Sequence, residues 1–365
     1  MIFMNVRKTY NLSDICRFVT SRTCNIENYI STENMLPNKG GITSPANIPS
    51  GSAVAYQLGD VLISNIRPYF QKIWQANCDG ACSADVLCIR ANEKADCKYL
   101  YYLLSQQKFF DYVMSGAKGC KMPRGDKSQI MQWQISLPPL AEQKRIADIL
   151  SVIDDKIELN RRINANLEQQ AQALYKSWFV DNKKDDWEKK RLDDIISIYD
   201  SQRKPLSGQQ REKMEKIYPY YGAASLMDYV DNYLFDGIYL LLGEDGTVSD
   251  SEGFPMLQYV WEKFWVNNHA HILQGKNGFT TESLYILLKQ TNVSSIVTGA
   301  VQPKISQANL KSVPIIMPPI NLLNQYNDII KPLFDQIRTN HNQIQQLSTL
   351  RDTLLPKLMS GEITI

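Results

Sequence analysis

The feature that most constrains this chain is that it is written twice. Displaced against itself by 180 residues, the sequence matches without gaps over long stretches. Leu12-Ser-Asp14-Ile15 falls on Leu192-Asp-Asp194-Ile195, Gly119 on Gly299 and Pro123 on Pro303. Ile130 falls on Leu310, Ile135 on Ile315, and Pro138-Pro139-Leu140 on Pro318-Pro319-Ile320. A repeat of this length is a duplicated half-protein rather than a solenoid.

After each Pro-Pro the pattern turns helical. In the first copy an apolar stripe runs Ile146, Ile149, Ile153, Ile157, Asn160, Asn164, Leu167, Ala171, Leu174, Trp178. In the second it runs Tyr326, Ile329, Leu333, Ile337, Asn340, Ile344, Leu347, Arg351, Leu354, Leu358. Steps of three and four residues are those of a helix seam. Proline suits a helix's first turn, where the missing N–H has no partner anyway, and Gly361 is a suitable stop. Two rods of roughly 60 Å follow from 1.5 Å per residue. Pro332 removes a backbone donor and disfavours helix at Lys331, so the second rod is expected to kink or break into a short and a long helix. Two ordinary amphipathic core helices are the competing reading. The narrow stripes and polar flanks favour an antiparallel coiled coil with its seam at Ile153, Ile157, Asn160, Leu167 and Leu174 against Leu333, Ile337, Asn340, Leu347 and Leu354. A pseudo-two-fold axis through the midpoint would set Asn160 against Asn340, a polar pair that fixes register.

Ahead of each helix, short β-like runs are separated by Gly, Pro and Asn clusters: Asp60-Val-Leu-Ile-Ser, Asp85-Val-Leu-Cys-Ile, Gly237-Ile-Tyr-Leu-Leu-Leu and Ala270-His-Ile-Leu. Short helices are expected over 96–114 and 281–291. The fold class is therefore two α/β (α+β) globules, 1–137 and 181–317, alternating with two helical segments, 138–180 and 318–365.

Nothing in this layout carries catalytic machinery. Leu137-Pro138-Pro139-Leu140 and Met317-Pro318-Pro319-Ile320 lack the polar and aromatic residues of an adenine methyltransferase motif. There is no phosphate-binding G-x-x-x-x-G-K-[ST] and no strand-linked G-x-G-x-x-G. Glu244-Asp245 reads as a solvated turn before it reads as a magnesium site. His269-Ala-His271 lacks an evident third ligand, so a structural or DNA-facing role is preferred to a metal. The seven cysteines are odd in number and irregularly spaced; Cys78-x3-Cys82 has no second pair near it, and the set reads as structural thiols. No apolar run reaches the ~18–20 residues of a membrane span, and the start Met1-Ile-Phe-Met-Asn-Val-Arg-Lys turns polar too early for a signal peptide. The expected compartment is the cytoplasm.

Net charge is only +2, but it is unevenly spread. Residues 1–137 hold 15 Lys+Arg against 10 Asp+Glu, and 181–317 hold 15 against 18. Nucleic-acid contact must therefore come from local clusters. Three basic and polar loops stand out in the first globule: Asn38-Lys39, then Arg67, Tyr69 and Lys72, then Lys118, Lys121, Arg124 and Lys127 on a Gly/Pro loop. Arg203, Lys204, Tyr221, Gln302 and Lys304 are the counterparts in the second. Such side chains contact base edges and phosphates alike, and solvated surface charge is the alternative for any one of them.

At this point the residues resemble a known family. Pro138-Pro-Leu-Ala-Glu-Gln-Lys-Arg-Ile-Ala-Asp-Ile-Leu-Ser151, with Ile157-Glu-Leu-Asn-Arg-Arg-Ile163, resembles the central helix of type I restriction-modification specificity subunits. Leu354-Leu-Pro-Lys-Leu-Met-Ser-Gly-Glu-Ile363 resembles their distal helix. Ser31-Thr-Glu-Asn-Met-Leu-Pro-Asn-Lys-Gly40, Ile63-Ser-Asn-Ile-Arg-Pro-Tyr69 and Gly119-Cys-Lys-Met-Pro-Arg-Gly125 resemble one class of target recognition domain. Tyr218-Pro-Tyr-Tyr-Gly-Ala223, Phe235-Asp-Gly237, Gly243-Glu-Asp-Gly246 and Asn267-Asn-His-Ala-His271 resemble another. One departure is Asn321-Leu-Leu-Asn-Gln325, which lacks the Glu-Gln-Lys pattern of the first helix.

The resemblance implies a non-catalytic subunit that reads a bipartite, asymmetric DNA target across an unspecified spacer. It implies assembly with two methyltransferase subunits and two restriction/translocase subunits. S-adenosylmethionine, ATP and magnesium would bind those partners, not this chain. The product would be adenine methylation or, on unmodified DNA, cleavage after translocation. A free-standing DNA-modifying enzyme and a coiled-coil scaffold without DNA contact are the alternatives. Methylation by the purified chain alone marks the first, and failure to shift DNA with a co-expressed methyltransferase marks the second.

Overall fold

The offset of 180 residues reappears in the backbone of the computed structural model, which describes residues 7–45, 47–119, 121–299 and 301–365. Cys120 and the leading Met1–Val6 of the start read above lie outside the described residues. Strand Lys8–Asn11 pairs antiparallel with Gln134–Leu137, and Glu188–Arg191 pairs likewise with Pro314–Met317. Each first strand runs into a 3-10 turn, Leu12–Asp14 or Leu192–Asp194. There the aspartate side chain accepts the N–H three residues back, from Asn11 at 2.8 Å or from Arg191 at 2.9 Å.

Each copy then builds an antiparallel four-stranded sheet of the same order. In the first it is Cys16–Phe18, Val86–Ala91, Val61–Ser64, Ile73–Gln75; in the second, Ile196–Ile198, Ala270–Gly275, Tyr239–Gly243, Leu257–Val260. Val61–Ser64 is buried at every position, as a strand covered on both faces must be. The copies diverge in their second sheets. The first has Arg22–Thr23, Ala53–Tyr56 and Gly80–Cys82. The second has Leu226–Val230, Tyr218–Tyr221, Lys263–Val266 and Phe235–Asp236, including one parallel pair, Tyr220 opposite Trp265. Helices Cys97–Leu104 and Gln107–Ser115 cover the first main sheet, and Thr281–Lys289 the second.

The long helices are Leu140–Tyr175, continued by a π-helical turn Lys176–Asp181, and Ile320–Ser360. The expected break at Pro332 does not occur. Pro332 is exposed, so the carbonyl it leaves unpaired faces water, while the buried Ile330 and Phe334 on either side hold the helix against the core. Gly361, at φ +81°, ends the second helix.

The chain divides into two compact units, residues 1–160 with 343–365, and residues 161–342, so each unit takes in a piece of both long helices. Within each unit the two helices run antiparallel. In the first, Arg351 Nη1 donates to Asp154 Oδ1 at 2.8 Å and Asn160 Nδ2 to Gln343 Oε1 at 2.7 Å. In the second, Asn340 Nδ2 donates to Asn164 Oδ1 at 2.8 Å and Tyr326 Oη to the Ala171 carbonyl at 2.9 Å. Asn160 and Asn340 thus take Gln343 and Asn164 as partners rather than each other. The side-by-side register is displaced by about one turn from the one expected.

Of the seam residues, Ile153, Ile157, Asn160 and Asn340 are buried, and Leu167, Leu174, Leu333, Ile337, Leu347 and Leu354 are half-buried. Ile149 and Ile329 instead lie exposed, and Leu150 and Ile330 are fully buried in their place. Both 3 and 4 are allowed helical steps, and both copies take the same alternative.

The departure at 321–325 has a packing explanation. In the first unit Gln143, 1% exposed, accepts the Asp96 N–H at 2.9 Å and donates to the carbonyls of Lys94 and Pro138. Its counterpart Leu323 is fully buried against Gly278, so apolar contact replaces the polar weld.

Candidate nucleic-acid interface

In each unit three loops meet where the central strand of the main sheet ends. In the first unit the residues after Val61–Ser64 meet the loop 118–124. Lys118 and Arg124 exchange backbone hydrogen bonds at 3.0 and 2.9 Å, and the Arg67 N–H reaches the Pro123 carbonyl at 2.8 Å. A third loop joins when Asn38 and Lys39 donate to the carbonyls of Phe70 and Gln71. Four non-glycine residues here are left-handed: Asn38 (φ 54°), Lys39 (59°), Arg67 (51°) and Gln71 (50°). Such backbone strain gathers where surrounding structure over-determines a functional surface. Two buried polar atoms here, Asn65 Oδ1 and Arg67 Nε, lack a hydrogen-bond partner among the described residues.

The second unit repeats the contact between the first two of these loops, and its third loop joins differently, through the Glu244 N–H to the His269 carbonyl at 2.8 Å. Thr298 and Lys304 exchange backbone hydrogen bonds at 2.8 and 2.7 Å, Gly246 N–H reaches the Pro303 carbonyl at 3.0 Å, and Ile305 N–H the Glu244 carbonyl at 2.8 Å. Behind it lies a buried charge network. Asp200 Oδ2 accepts from His271 Nδ1 at 2.6 Å, and Oδ1 accepts the Ile272 N–H at 2.9 Å. His271 Nε2 faces the Ile305 carbonyl at 2.8 Å. Glu244 is held by Arg203 and, at 3.3 Å, by Lys304. Burial works to raise the Asp200 carboxyl. The hydrogen bonds from His271 and Ile272 and the charges of His271 and Arg203 outweigh it, and hold the group below the ordinary carboxylate range.

Asp200, Glu244 and His271 are close enough to share a cation, the one such group among the described residues. The arrangement answers to hydrogen bonding instead. His271 is engaged at both ring nitrogens, by the Asp200 carboxylate and the Ile305 carbonyl, and Glu244 is already paired with two cations. Glu244 is therefore not the solvated turn residue read from the sequence. Burial pushes the Cys16 and Cys82 thiols up to about 12, so neither offers a thiolate to a metal.

The residues expected at DNA fall into two groups. Asn38, Tyr69, Lys118, Lys121, Arg124, Lys127, Lys204, Gln302 and Lys304 are exposed. Among these Lys118 pairs with Asp126 at 2.8 Å and Arg124 with Asp85 at 3.1 Å, both on open surface, and Lys127 Nζ stands 6.0 Å from the Phe18 ring centroid. Tyr69 packs on Phe70 with ring centroids 4.7 Å apart.

The others are engaged in structure. Lys39 pairs with Asp352 at 3.4 Å, and Lys72 Nζ donates to the Thr32 carbonyl at 2.7 Å. Arg67 is half-buried at the junction itself. Arg203 gives its guanidinium to Glu244, Asp200 and the carbonyls of Asp200, Asn268 and Ala270. Tyr221 lies in a strand against Phe264, and burial pushes its hydroxyl up to about 12. Sequence reasoning missed Asp200 altogether; an aspartate after a strand carries no signal until its partner 71 residues away is known.

No helix among the described residues is long and apolar enough to cross a membrane. A family model, the type I restriction modification DNA specificity domain, matches residues 8–169 and again 184–349. The specificity subunit of the type I restriction enzyme MjaIX from Methanocaldococcus jannaschii is 30% identical over 306 residues, covering 73% of this chain and 69% of that one. The HindI specificity subunit from Haemophilus influenzae is 32% identical over 188 residues, 48% of this chain and 41% of that one. The crystal structure of a type I restriction-modification S subunit from M. genitalium shares the fold, with a TM-score of 0.53, 17% identity and 98% of each chain covered. With the domain present twice, on a duplicated fold that repeats one loop junction, the chain belongs to the type I restriction-modification DNA specificity family and is a specificity subunit of that class.

Proposed function

We propose that the two globules, 1–137 and 181–317, are target recognition domains that each read one part of a bipartite, asymmetric DNA sequence. The helical segments 138–180 and 318–365 set the spacer between the parts and dock the partner subunits. The observation that carries this reading is the loop junction built once per family domain on divergent side chains. A frame repeated with different contents suits two readers of different sequences, and a fixed separation turns spacing into specificity, as in dimeric DNA binders.

In this reading the chain works with two methyltransferase and two restriction/translocase subunits in the cytoplasm. Those partners hold S-adenosylmethionine, ATP and magnesium. This chain's own contribution is to present Asn38, Tyr69, Lys118, Lys121, Arg124 and Lys127 in one half, and Lys204, Gln302 and Lys304 in the other. Phosphate contacts set register and base contacts set sequence.

Sequencing of methylated DNA from cells expressing the chain with its methyltransferase subunits tests this. The expected result is adenine methylation within one asymmetric motif of two short parts. A palindromic motif, or methylation without sequence preference, refutes it.

A further inference from the structure

The loops 118–124 and 298–304 are the same hairpin at the same offset of 180 residues. Both close on a reciprocal pair of backbone bonds, Lys118 with Arg124 and Thr298 with Lys304. Both turn at a left-handed glycine, Gly119 (φ 99°) and Gly299 (φ 89°). A Cβ on Gly119 would stand 3.2 Å from the Met122 carbonyl oxygen, and one on Gly299 would strike the Gln302 carbonyl oxygen. Both hang from the central-strand loop through a proline carbonyl, Pro123 or Pro303. Both lead into a helix capped two residues after the hairpin, where Asp126 accepts the N–H groups of Ser128 and Gln129, and Ser306 that of Asn309.

The frame is constant and the tips are not. Lys121-Met122 stands where Val301-Gln302 stands in the other copy, and all four side chains are exposed. Met122 is 49% exposed and Val301 99%. Exposure on that scale gives up the apolar burial these side chains could gain, and neither packs in a core cluster. Their chemistry matches base edges. A lysine ammonium suits the guanine O6 and N7 acceptors, a glutamine amide the adenine N6 and N7 pair, and aliphatic methyls the thymine methyl.

We propose that these tips are the specificity-determining pairs of the two recognition domains, Lys121-Met122 taking a G·C pair in one half of the target and Val301-Gln302 an A·T pair in the other. This rests on the reading above, and the test separates the two. The chain is expressed with its methyltransferase subunits, unvaried and as K121A/M122A and V301A/Q302A, and the methylated motif is sequenced for each. Each double substitution should relax one position in one half by about tenfold or more, leaving the other half intact. In gel shifts with the unvaried complex, deoxyuridine in place of thymidine at the V301A/Q302A-sensitive position should weaken binding. With V301A/Q302A it should not. A bipartite motif that neither substitution alters, or that both relax in the same half, overturns the inference and leaves the reading standing. An unvaried complex that methylates no bipartite motif overturns both. A melting temperature unchanged by either substitution shows that relaxed specificity is not a folding defect.

Discussion

Replacing Asp200 by alanine should unlock the second unit's loop junction, and the cost can be worked from its partners. The side chain is 4% exposed and accepts from His271, Ile272 N–H and Gln307, with Arg203 Nη2 at 3.5 Å. Removing it leaves the buried His271 Nδ1 and the Ile272 amide without their acceptor. Each orphaned buried donor costs about 1–3 kcal/mol, and breaking a buried ion pair on one side costs about 3–5 kcal/mol. The two routes agree on about 3–5 kcal/mol for Asp200→Ala. Asp200→Asn keeps the shape, but its amide must point N–H at one of the donors, so about 2–3 kcal/mol is expected. At 2–4 °C per kcal/mol for a unit of this size, the alanine variant should melt roughly 6–20 °C lower.

Urea titration followed by tryptophan fluorescence measures this. The pH dependence follows from the depressed Asp200 carboxyl. Its contribution is fully present above about pH 4, the ordinary aspartate value, and is lost as pH falls through the lower folded value. The Asn variant should lack that acid-sensitive component. An Asp200→Ala loss below about 1 kcal/mol, or an acid profile unchanged in Asp200→Asn, would refute the account of a buried network holding the three loops.

Three further outcomes follow from other parts of the molecule. Asp154→Leu strands Arg351, whose side chain is 13% exposed, and should cost about 2–4 kcal/mol, less the share retained by Asp352; adding Arg351→Met should recover most of it in a double-mutant cycle, and simple additivity would count against the pairing. Gln143→Leu removes one acceptor and two donors from the first helix's base and should cost about 2–3 kcal/mol, with faster hydrogen exchange at the Asp96 amide; unchanged exchange there would contradict the weld. Asn160→Leu should raise the melting temperature, since its buried Oδ1 has no partner among the described residues and an apolar residue at a seam position stabilises at the expense of register; a lower melting temperature would show that the bond to Gln343 outweighs the orphaned atom.

The duplicated plan was legible in the sequence because its ends are set by local chemistry. Strand, 3-10 turn, hairpin glycine, helix cap and Pro-Pro helix start all recur at one offset, and each depends on residues within a few positions. What was not legible depends on distance or on close energetic choices. The stripe through Ile149 and Ile329 was read one residue off because steps of three and four are equally helical, and only the core decides that Leu150 and Ile330 go inside. Pro332 was read as a kink or a break, and the break fails because the local rule ignores what Ile330 and Phe334 gain by packing. The left-handed Arg67 and Gln71 carry no mark of it, since neither is the glycine or asparagine that tolerates such backbone. Arg203 looked like a free cation until its acceptors 41 to 67 residues away were placed around it.

The engagement of Arg203 changes how the two readers would divide their work. In the second globule Arg203 is spent on Glu244 and Asp200, and the exposed Lys304 is shared with Glu244, within a segment of 15 basic and 18 acidic residues, so less positive charge is left to attract phosphates than in the first. In the first, Lys121 and Lys127 are exposed, and the pairs made by Lys118 and Arg124 lie on open surface, where phosphate competes with a carboxylate at little cost. Electrostatic affinity should therefore enter through the first globule and base discrimination weigh more heavily in the second. Among the described residues the buried Asp200–His271 network stands behind the second junction and ties its loops together. A reader with few phosphate contacts to orient it on the duplex needs its loops held by the protein itself.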